Sequence, residues 1–231
     1  MFRNRSEAGR MLATEIAALA PRDPIVLALP RGGVPVAVEV ALALGARLDL
    51  VIVRKVGAPG NPELAVAAIV DGNPPEVVLN REIIEAYGLQ DEQLSALIAR
   101  ERPELERRRA VYRAERQPLS VKGKTVILVD DGAATGTTMK VAARAIRRRS
   151  PARIILALPV ASPEAVSDLS READRIVCLS QPSHFRALGF HYREFHQLDD
   201  AEVLELMRKY EGEGMPAAQN EMLSRRARPS D

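Results

Sequence analysis

The sequence predicts an α/β domain in which a mainly parallel β-sheet is covered by helices on both faces. Short apolar runs alternate along the chain with segments of helical periodicity, as expected for consecutive strand–helix units. The apolar runs end in glycine, basic or acidic residues, which bind ligands at the carboxyl edge of such sheets. With 46% hydrophobic and 28% charged residues, the composition is that of a globular domain.

The first half of the chain is predicted to form two strands of this sheet, one helix and a flanking ribbon. The first strand ends in Pro30-Arg31-Gly32-Gly33 and the second in Arg54-Lys55, so both deliver basic residues to the sheet edge. Residues 57–63 are rich in glycine and proline, which predicts a mobile loop. The predicted elements are strands 25–29 and 48–53, helix 34–44, and ribbon strands 65–70 and 77–79.

The second half returns to the strand–helix alternation after a helical excursion. Residues 81–118 are predicted to be an inserted helical segment with a thin apolar stripe. Thr125–Val129 is a buried strand that leads into Asp130-Asp131. The polar range 212–231 lacks periodicity and is expected to be a disordered tail on a single domain of residues 1–211. The other predicted elements are helices 137–149, 163–171 and 200–210, and strands 153–158 and 175–179.

Charge and cysteine content limit the expected partners and compartment. The net charge of 33 − 31 = +2 gives no reason to expect nucleic acid or an anionic membrane as a partner. No apolar run approaches the ~18 residues of a membrane span. A single cysteine, Cys178, excludes an internal disulfide framework and favours a reducing cytoplasm.

Arginines are concentrated in one part of the predicted insertion, between residues 100 and 116. Glutamates at helical pairing distance are interleaved with them, so a solvated, salt-bridged helix is the default interpretation. A contribution to substrate or nucleic-acid binding stays open. The residues concerned are Arg100, Arg102, Arg107, Arg108, Arg109, Arg113 and Arg116, with Glu101, Glu104, Glu106 and Glu115 between them.

The segment Val126–Met139 is the most informative stretch for function. A buried strand delivers two carboxylates, Asp130 and Asp131, to its carboxyl end, and small and hydroxyl-bearing residues lead directly into a helix. This arrangement directs free backbone N–H groups, threonine hydroxyls and the positive helix end at one point, which suits a phosphate. The acid pair and the phosphate site are therefore expected about one sugar apart.

Receiver domains and Walker B strands also place two acids after a strand. A Walker B interpretation requires a partner loop, and the chain offers only Lys122-Gly123-Lys124-Thr125, with Pro118 at the position of the first glycine. This segment also precedes a strand instead of following one. The nucleotide-triphosphatase interpretation therefore fails, and an unrelated role for the acid pair is the remaining alternative.

The stretch from Val126 to Met139 resembles the phosphoribosyl pyrophosphate signature of type I phosphoribosyltransferases: a hydrophobic strand, two acids, small residues, then Thr-Gly-x-Thr. The resemblance implies a Rossmann-like parallel sheet with a C-terminal hood, here residues 180–198. It also implies that Asp130 and Asp131 hold the ribose hydroxyls and Mg²⁺, directly or through substrate hydroxyls and water. The loop around the 5′-phosphate would consist of Ala134, Thr135, Gly136, Thr137 and Thr138.

Further elements take roles from the same resemblance. Arg31, Gly32 and Gly33 would form the pyrophosphate loop, with Arg54 and Lys55 directed toward the same group. The loop 57–63 would close over the site. The hood carries all three histidines and four of the eight Phe and Tyr residues, which favours stacking on a heterocyclic base, with Phe185 as the stacking ring. The alternative is that these aromatic residues pack a small satellite core. A metal site formed by the histidines is not expected.

The activity implied is transfer of a phosphoribosyl group to or from a nitrogenous base, with pyrophosphate as co-product. Members acting on hypoxanthine and guanine usually carry Asp immediately before Thr-Gly, where this chain has Ala134, so the general base stays unassigned. Two alternatives are a non-catalytic sensor of phosphoribosyl pyrophosphate and an interaction module with a relic site. The resemblance also implies a homodimer.

Overall fold

The computed structural model describes residues 1–72, 74–113 and 117–213. Its centre is a five-stranded parallel sheet, which confirms the predicted fold class. In chain order the elements are α1 (Arg5–Ala17), β1 (Pro24–Ala28), α2 (Gly33–Leu44), β2 (Arg47–Leu50), β3 (Val53–Ala58), β4 (Asn61–Val70), β5 (Glu76–Leu79), α3 (Arg81–Ala86), α4 (Asp91–Arg113), β6 (Thr125–Val129), α5 (Thr137–Arg148), β7 (Arg153–Val160), α6 (Pro163–Leu169), β8 (Arg175–Ser180), a 3₁₀ turn (Leu188–His191) and α7 (Asp200–Glu213).

The parallel sheet has the strand order β2-β1-β6-β7-β8 and a hydrophobic core on each face. Side chains alternate between the two faces along each strand, so neighbours such as Val126 and Ile127 belong to different cores. Helices α1, α2 and α7 cover one face, and α5 and α6 cover the other. Among the described residues, no helix is both long and apolar enough to cross a membrane.

Helix α1 was not predicted from the sequence. Asn4 caps it by accepting a hydrogen bond from the Glu7 N–H at 3.0 Å. Leu12 and Ile16 are fully buried one turn apart on the face that packs against α2. An N-cap asparagine three residues before a glutamate, followed by this apolar spacing, is the sequence signal that would have located the helix.

The single strand predicted over 48–53 is wrong, because the chain changes sheets at this point. β2 ends at Leu50 in the parallel sheet, and β3 begins at Val53 in a separate antiparallel ribbon with the order β3-β4-β5. The Ile52 N–H donates to the Asp71 carboxylate at 2.8 Å instead of continuing the parallel ladder. Arg54 and Lys55 therefore lie within a ribbon strand and not at the end of a strand of the parallel sheet.

The glycine- and proline-rich segment 57–63 is part of this ribbon. It forms the end of β3, a two-residue turn at Pro59 and Gly60, and the start of β4. The predicted irregular loop is thus a hairpin, because backbone pairing between the two strands continues to Ala58 and Asn61.

The predicted helical insertion consists of two helices, α3 and α4, joined by a turn. α4 packs on β3 and β4, with Leu105 completely buried and Tyr112 nearly so. Residues 114–116, assigned to this helix from the sequence, lie outside the described residues. The expected tail begins too early, since α7 continues to residue 213, and residues 214–231 also lie outside the described residues.

Candidate active site

The acid pair follows the most deeply buried strand of the sheet. All five residues of β6 are buried, and β6 lies beside β1 with Val129 opposite Ala28. This register places Asp130 and Asp131 next to the turn that follows β1. The Asp130 carboxylate is half-buried and accepts the Asp131 N–H at 2.9 Å, whereas Asp131 is only 6% exposed.

The turn between β1 and α2 brings its backbone against the acid pair. A Cβ atom on Gly33 would lie 2.7 Å from the Val129 carbonyl oxygen and 2.9 Å from the Asp130 Cα, and one on Gly32 would lie 2.1 Å from Asp131 Oδ2. Only glycine permits this approach. The peptide bond between Pro30 and Arg31 is cis, and the Arg31 side chain is exposed. The expected pyrophosphate loop is therefore in contact with the expected ribose site.

The loop 134–138 leads directly into α5. Gly136 adopts a left-handed backbone with φ of 69° at the N-cap, and no side chain caps the helix. The first backbone N–H groups of α5 therefore have no side-chain acceptor and are available to an anion. Thr135 is exposed, Thr137 and Thr138 are half-buried, and the Thr135 and Thr137 hydroxyl oxygens lie 3.1 Å apart. The predicted phosphate-binding residues are thus brought together at one helix end.

Asp131 has a partner that the sequence did not reveal. The Arg5 Nε–H of α1 donates to its Oδ2 at 2.7 Å, and both side chains are almost fully buried, at 10% and 9% exposure. The Tyr192 hydroxyl donates to the Asp131 backbone carbonyl at 2.5 Å. Asp131 is therefore held from two sides, by the N-terminal helix and by the hood.

The electrostatic environment of Asp130 differs from that of its neighbour. Burial, followed by the adjacent Asp131 charge, raises the pKa of the Asp130 carboxyl well above its ordinary value. Among the described residues, no cation lies within ion-pair distance of this carboxylate, and no cluster of three or more His, Cys, Asp or Glu residues forms a metal site. Asp130 is therefore a half-buried acid that would gain from a ligand or a cation.

The hood packs mainly on the N-terminal residues. Its Tyr192 ring lies 5.6 Å from Phe2 and 5.4 Å from Phe195, and Phe2 forms a β-bridge with Tyr192. The satellite-core alternative therefore describes much of the aromatic cluster. Phe185, the predicted stacking ring, is half-buried and lies 5.0 Å from the His191 ring.

A cleft of about 900 Å³ opens between the hood and α6. It borders the phosphate loop at Ala134 and Thr135, and Phe185 contributes to its wall. The remaining lining residues are Ser162, Glu164, Ala165, Asp168, Ser183, His184 and Arg186. The cleft therefore lies beside both Phe185 and the predicted phosphate loop.

The three basic residues predicted to bind pyrophosphate lie in three different environments. Arg54 pairs with Glu101 of α4, Nε to Oε2 at 2.7 Å, so its charge is already compensated. Lys55 is half-buried in β3. Arg31 lies near the start of α7, where its charge adds to hydrogen bonds from Tyr112 and Arg107 in lowering the pKa of Asp200.

The arginine-rich face of α4 is extensively paired. Arg107 and Arg108 both donate to Glu104, and Arg109 donates to Glu106 at 3.0 Å. Hydrogen bonds from Arg107 and Arg108 lower the pKa of Glu104 to about 2. This pairing favours the interpretation of a salt-bridged helix over that of a nucleic-acid contact surface.

Comparison with known proteins agrees with this geometry. The family profile described as the phosphoribosyl transferase domain matches residues 4–194. The crystal structure of TT1426 from Thermus thermophilus is 44% identical, with a TM-score of 0.82 over 91% of this chain and 99% of that one. Two relatives from Mycobacterium tuberculosis, strains CDC 1551 and H37Rv, are provisionally named phosphoribosyl transferases and are 40% identical over 204 residues. The match covers 88% of this chain but 46% of their length, so the chain spans about half of each.

Proposed function

Because the chain belongs to the phosphoribosyl transferase domain family, we propose that it binds phosphoribosyl pyrophosphate with Mg²⁺ and transfers the phosphoribosyl group to or from a nitrogenous base, with pyrophosphate as co-product. One observation carries the proposal: a half-buried carboxylate, Asp130, which has no ion-pair partner among the described residues, lies between a glycine loop and a helix N-terminus without a side-chain cap. This is the order of groups that a sugar with a phosphate at each end requires.

Each end of the substrate finds a group suited to it. The N–H groups at the start of α5 and the hydroxyls of Thr135, Thr137 and Thr138 would bind the 5′-phosphate. Asp130 would accept hydrogen bonds from the ribose hydroxyls. The backbone at Gly32 and Gly33, with Arg31 at the rim, would hold the pyrophosphate leaving group. Fixing both ends orients C1 of the ribose toward the cleft beside Phe185.

The donor set also suits Mg²⁺. This ion prefers oxygen ligands and commonly binds through one or two carboxylates together with substrate phosphates. Asp130 supplies a carboxylate that has no cation partner in the part of the chain that the structure describes. When bound, the ion would neutralise charge on the departing pyrophosphate. The chain's own residues then hold the sugar and phosphates in place and, through the hood, limit the access of water to C1.

The acceptor would enter the cleft between the hood and α6. Phe185 offers a ring for stacking, and Glu164 and Asp168 of α6 also line the cleft. Ala134 supplies no proton acceptor at the position where 6-oxopurine enzymes carry Asp, so the acceptor proton must leave to another group or to water. The cytoplasmic location and the homodimer stay predictions.

The first test is calorimetric titration with phosphoribosyl pyrophosphate and Mg²⁺. We expect micromolar binding that Asp130→Asn weakens about a hundredfold or more, because the ribose hydroxyls lose a charged acceptor. Asp23→Asn is the matched control, since Asp23 is an exposed aspartate that precedes β1 at the opposite edge of the sheet and pairs with Lys124.

A screen of purine and pyrimidine bases for pyrophosphate release then separates the alternatives. Release with one base supports the transferase. Binding without release from any base would favour the non-catalytic sensor. A folded protein that does not bind the sugar phosphate would contradict the proposal and leave the interaction module with a relic site.

A further inference from the structure

Arg5 is a buried arginine whose side chain contacts two parts of the molecule outside its own helix, the acid pair and the hood. Its Nε–H donates to Asp131 after β6, and its Nη1–H donates to the His196 carbonyl of the hood at 2.9 Å. Its guanidinium carbon lies 4.0 Å from the Phe195 ring centroid, a cation–π contact. One side chain of α1 thus joins the acid pair to the hood.

The Asp131 carboxylate is committed to the interior of the site. Oδ2 accepts the hydrogen bond from Arg5, and the whole carboxylate lies against the Cα of Gly32. A Cβ atom at Gly32 would be 2.1 to 2.8 Å from all three carboxylate atoms. With its side chain 9% exposed, Asp131 supports the glycine loop and presents little surface to a ligand.

The N-terminal residues and the hood are also joined by backbone hydrogen bonds. Phe2 N–H donates to the His191 carbonyl, and the Arg193 and Glu194 N–H groups donate to the carbonyls of Phe2 and Arg3, all at 2.9 Å. The start of the chain therefore pairs with the hood like an added strand. Arg5 follows this pairing directly and is held in place by it.

We propose that Arg5 is a positioning residue that holds Asp131 against the glycine loop, so that Asp131 supports the pyrophosphate site while Asp130 alone contacts the sugar. This assignment gives Asp130 and Asp131 different roles, whereas the resemblance implied one role for both. The affinity test of this proposal rests on the proposed function. The exchange test in the free protein does not, because it uses no ligand. It also makes the N-terminal helix and the hood parts of one site.

The test in the free protein is hydrogen–deuterium exchange of the glycine loop. In Arg5→Met, an unpaired carboxylate remains under Gly32, and we expect amide exchange at Gly33 and Val34 to accelerate about tenfold or more. Arg10→Met is the matched control: Arg10 lies on the same helix, is 61% exposed and pairs with Glu39, so exchange in the loop should not change. Unchanged exchange in a folded Arg5→Met protein would overturn the proposal.

The affinity test uses a double-mutant cycle titrated with phosphoribosyl pyrophosphate and Mg²⁺. Arg5→Met and Asp131→Asn each leave one buried partner unpaired, and we expect each to weaken binding about tenfold or more. The double variant removes both charges and should bind within about threefold of the unmodified protein. If Asp131 contacts the sugar directly, the double variant will bind as weakly as Asp131→Asn, and the proposal fails.

Two further measurements distinguish a loss of binding from a loss of folding in the double-mutant cycle. Circular dichroism melting of each variant confirms that the protein binding ligand is folded, and Arg5→Lys, which retains the charge, should recover part of the affinity and of the exchange protection. If Arg5→Met does not fold, Arg5→Lys and Asp131→Asn carry the same comparison. Failure of the unmodified protein to bind would refute the proposed function, while loop exchange would still decide the role of Arg5.

Discussion

Among the described residues, two buried arginines hold aspartates at two different places. Arg113, at the end of α4, donates to Asp71 at 2.5 Å, to Asp49 at 3.0 Å and to the Leu50 carbonyl at 2.6 Å. Arg5 donates to Asp131 at the carboxyl edge of the parallel sheet. Both arginines are at most about a tenth exposed, so both clusters carry the cost of buried charge.

The difference lies in what each cluster leaves unsatisfied. Around Arg113, every carboxylate oxygen has a donor: backbone N–H groups of Leu50, Ile52 and Leu119 complete the set. Beside Arg5, the Asp130 carboxylate accepts the Asp131 N–H and has no ion-pair partner among the described residues. We call the Arg113 group the closed cluster, because all of its carboxylate oxygens are paired, and it stabilises the junction of the two sheets. We call the Arg5 group with Asp130 the open cluster, because the Asp130 charge is destabilised until a ligand or a cation binds.

The largest effect is expected from breaking the closed cluster. Arg113→Met leaves Asp49 and Asp71 without their buried cation, and we expect a loss of about 3–5 kcal/mol in unfolding free energy. Chemical denaturation measures it, with Arg102→Met, an exposed arginine on the same helix, as control. A loss below about 1 kcal/mol would show that the cluster does not hold the sheets together.

A substitution at Gly33, beside the open cluster, should lower the unfolding free energy less than Arg113→Met does, but it should also weaken ligand binding. In Gly33→Ala, the added Cβ would meet the Val129 carbonyl and the Asp130 Cα, backbone atoms that yield poorly, so we expect a loss of about 2 kcal/mol. Binding of phosphoribosyl pyrophosphate should fall with it. Gly212→Ala, in α7 with open space around it, should be neutral or slightly stabilising. Normal binding by Gly33→Ala would argue against close contact between loop and acid pair.

Removing the negative charge of Asp130 should stabilise the protein. The raised pKa of Asp130 means that the folded protein holds this proton more tightly than the unfolded chain does. Ionisation of Asp130 therefore costs stability once the pH exceeds the ordinary carboxyl value of about 4. We expect Asp130→Asn to gain about 1 kcal/mol at neutral pH and the gain to vanish near pH 4, in melting curves recorded across that range. A destabilised variant at pH 7 would contradict the description of Asp130 as an uncompensated charge.

The smallest effect is expected at the surface. Glu104 accepts from both Arg107 and Arg108, but solvent screens these pairs, so Glu104→Gln should cost about 0.5 kcal/mol. Because its pKa is lowered to about 2, the contribution is present above its usual value of 4.5 and is lost as the pH falls toward 2. Glu85→Gln, at an exposed carboxyl of α3 without an ion pair among the described residues, is the control for urea titrations at pH 6 and pH 3. A cost above 2 kcal/mol would place the surface pairs alongside the Arg113 cluster.

Local sequence signals were sufficient for the parallel sheet and for the turn between β6 and α5. Thr125–Val129, Asp130 and the Thr-Gly-x-Thr turn are contiguous, so strand, acid and helix start follow from residues next to one another. The sequence analysis did not predict the change of sheets after Leu50, because the apolar run from Leu48 to Val53 is typical of one buried strand. What separates it into two is Asp71, more than a dozen residues later, which accepts the Ile52 N–H.

The sequence by itself determined the α/β class, the position of the acid pair after β6 and the turn of small residues that leads into α5, since each depends on neighbours along the chain. Only the tertiary structure decided how the two acids differ. Arg5 lies 126 positions from Asp131 and Tyr192 lies 61 positions from it, and no local pattern encodes such pairs. Burial and partners fix the charge environment of a carboxylate, and both arise when distant segments pack together.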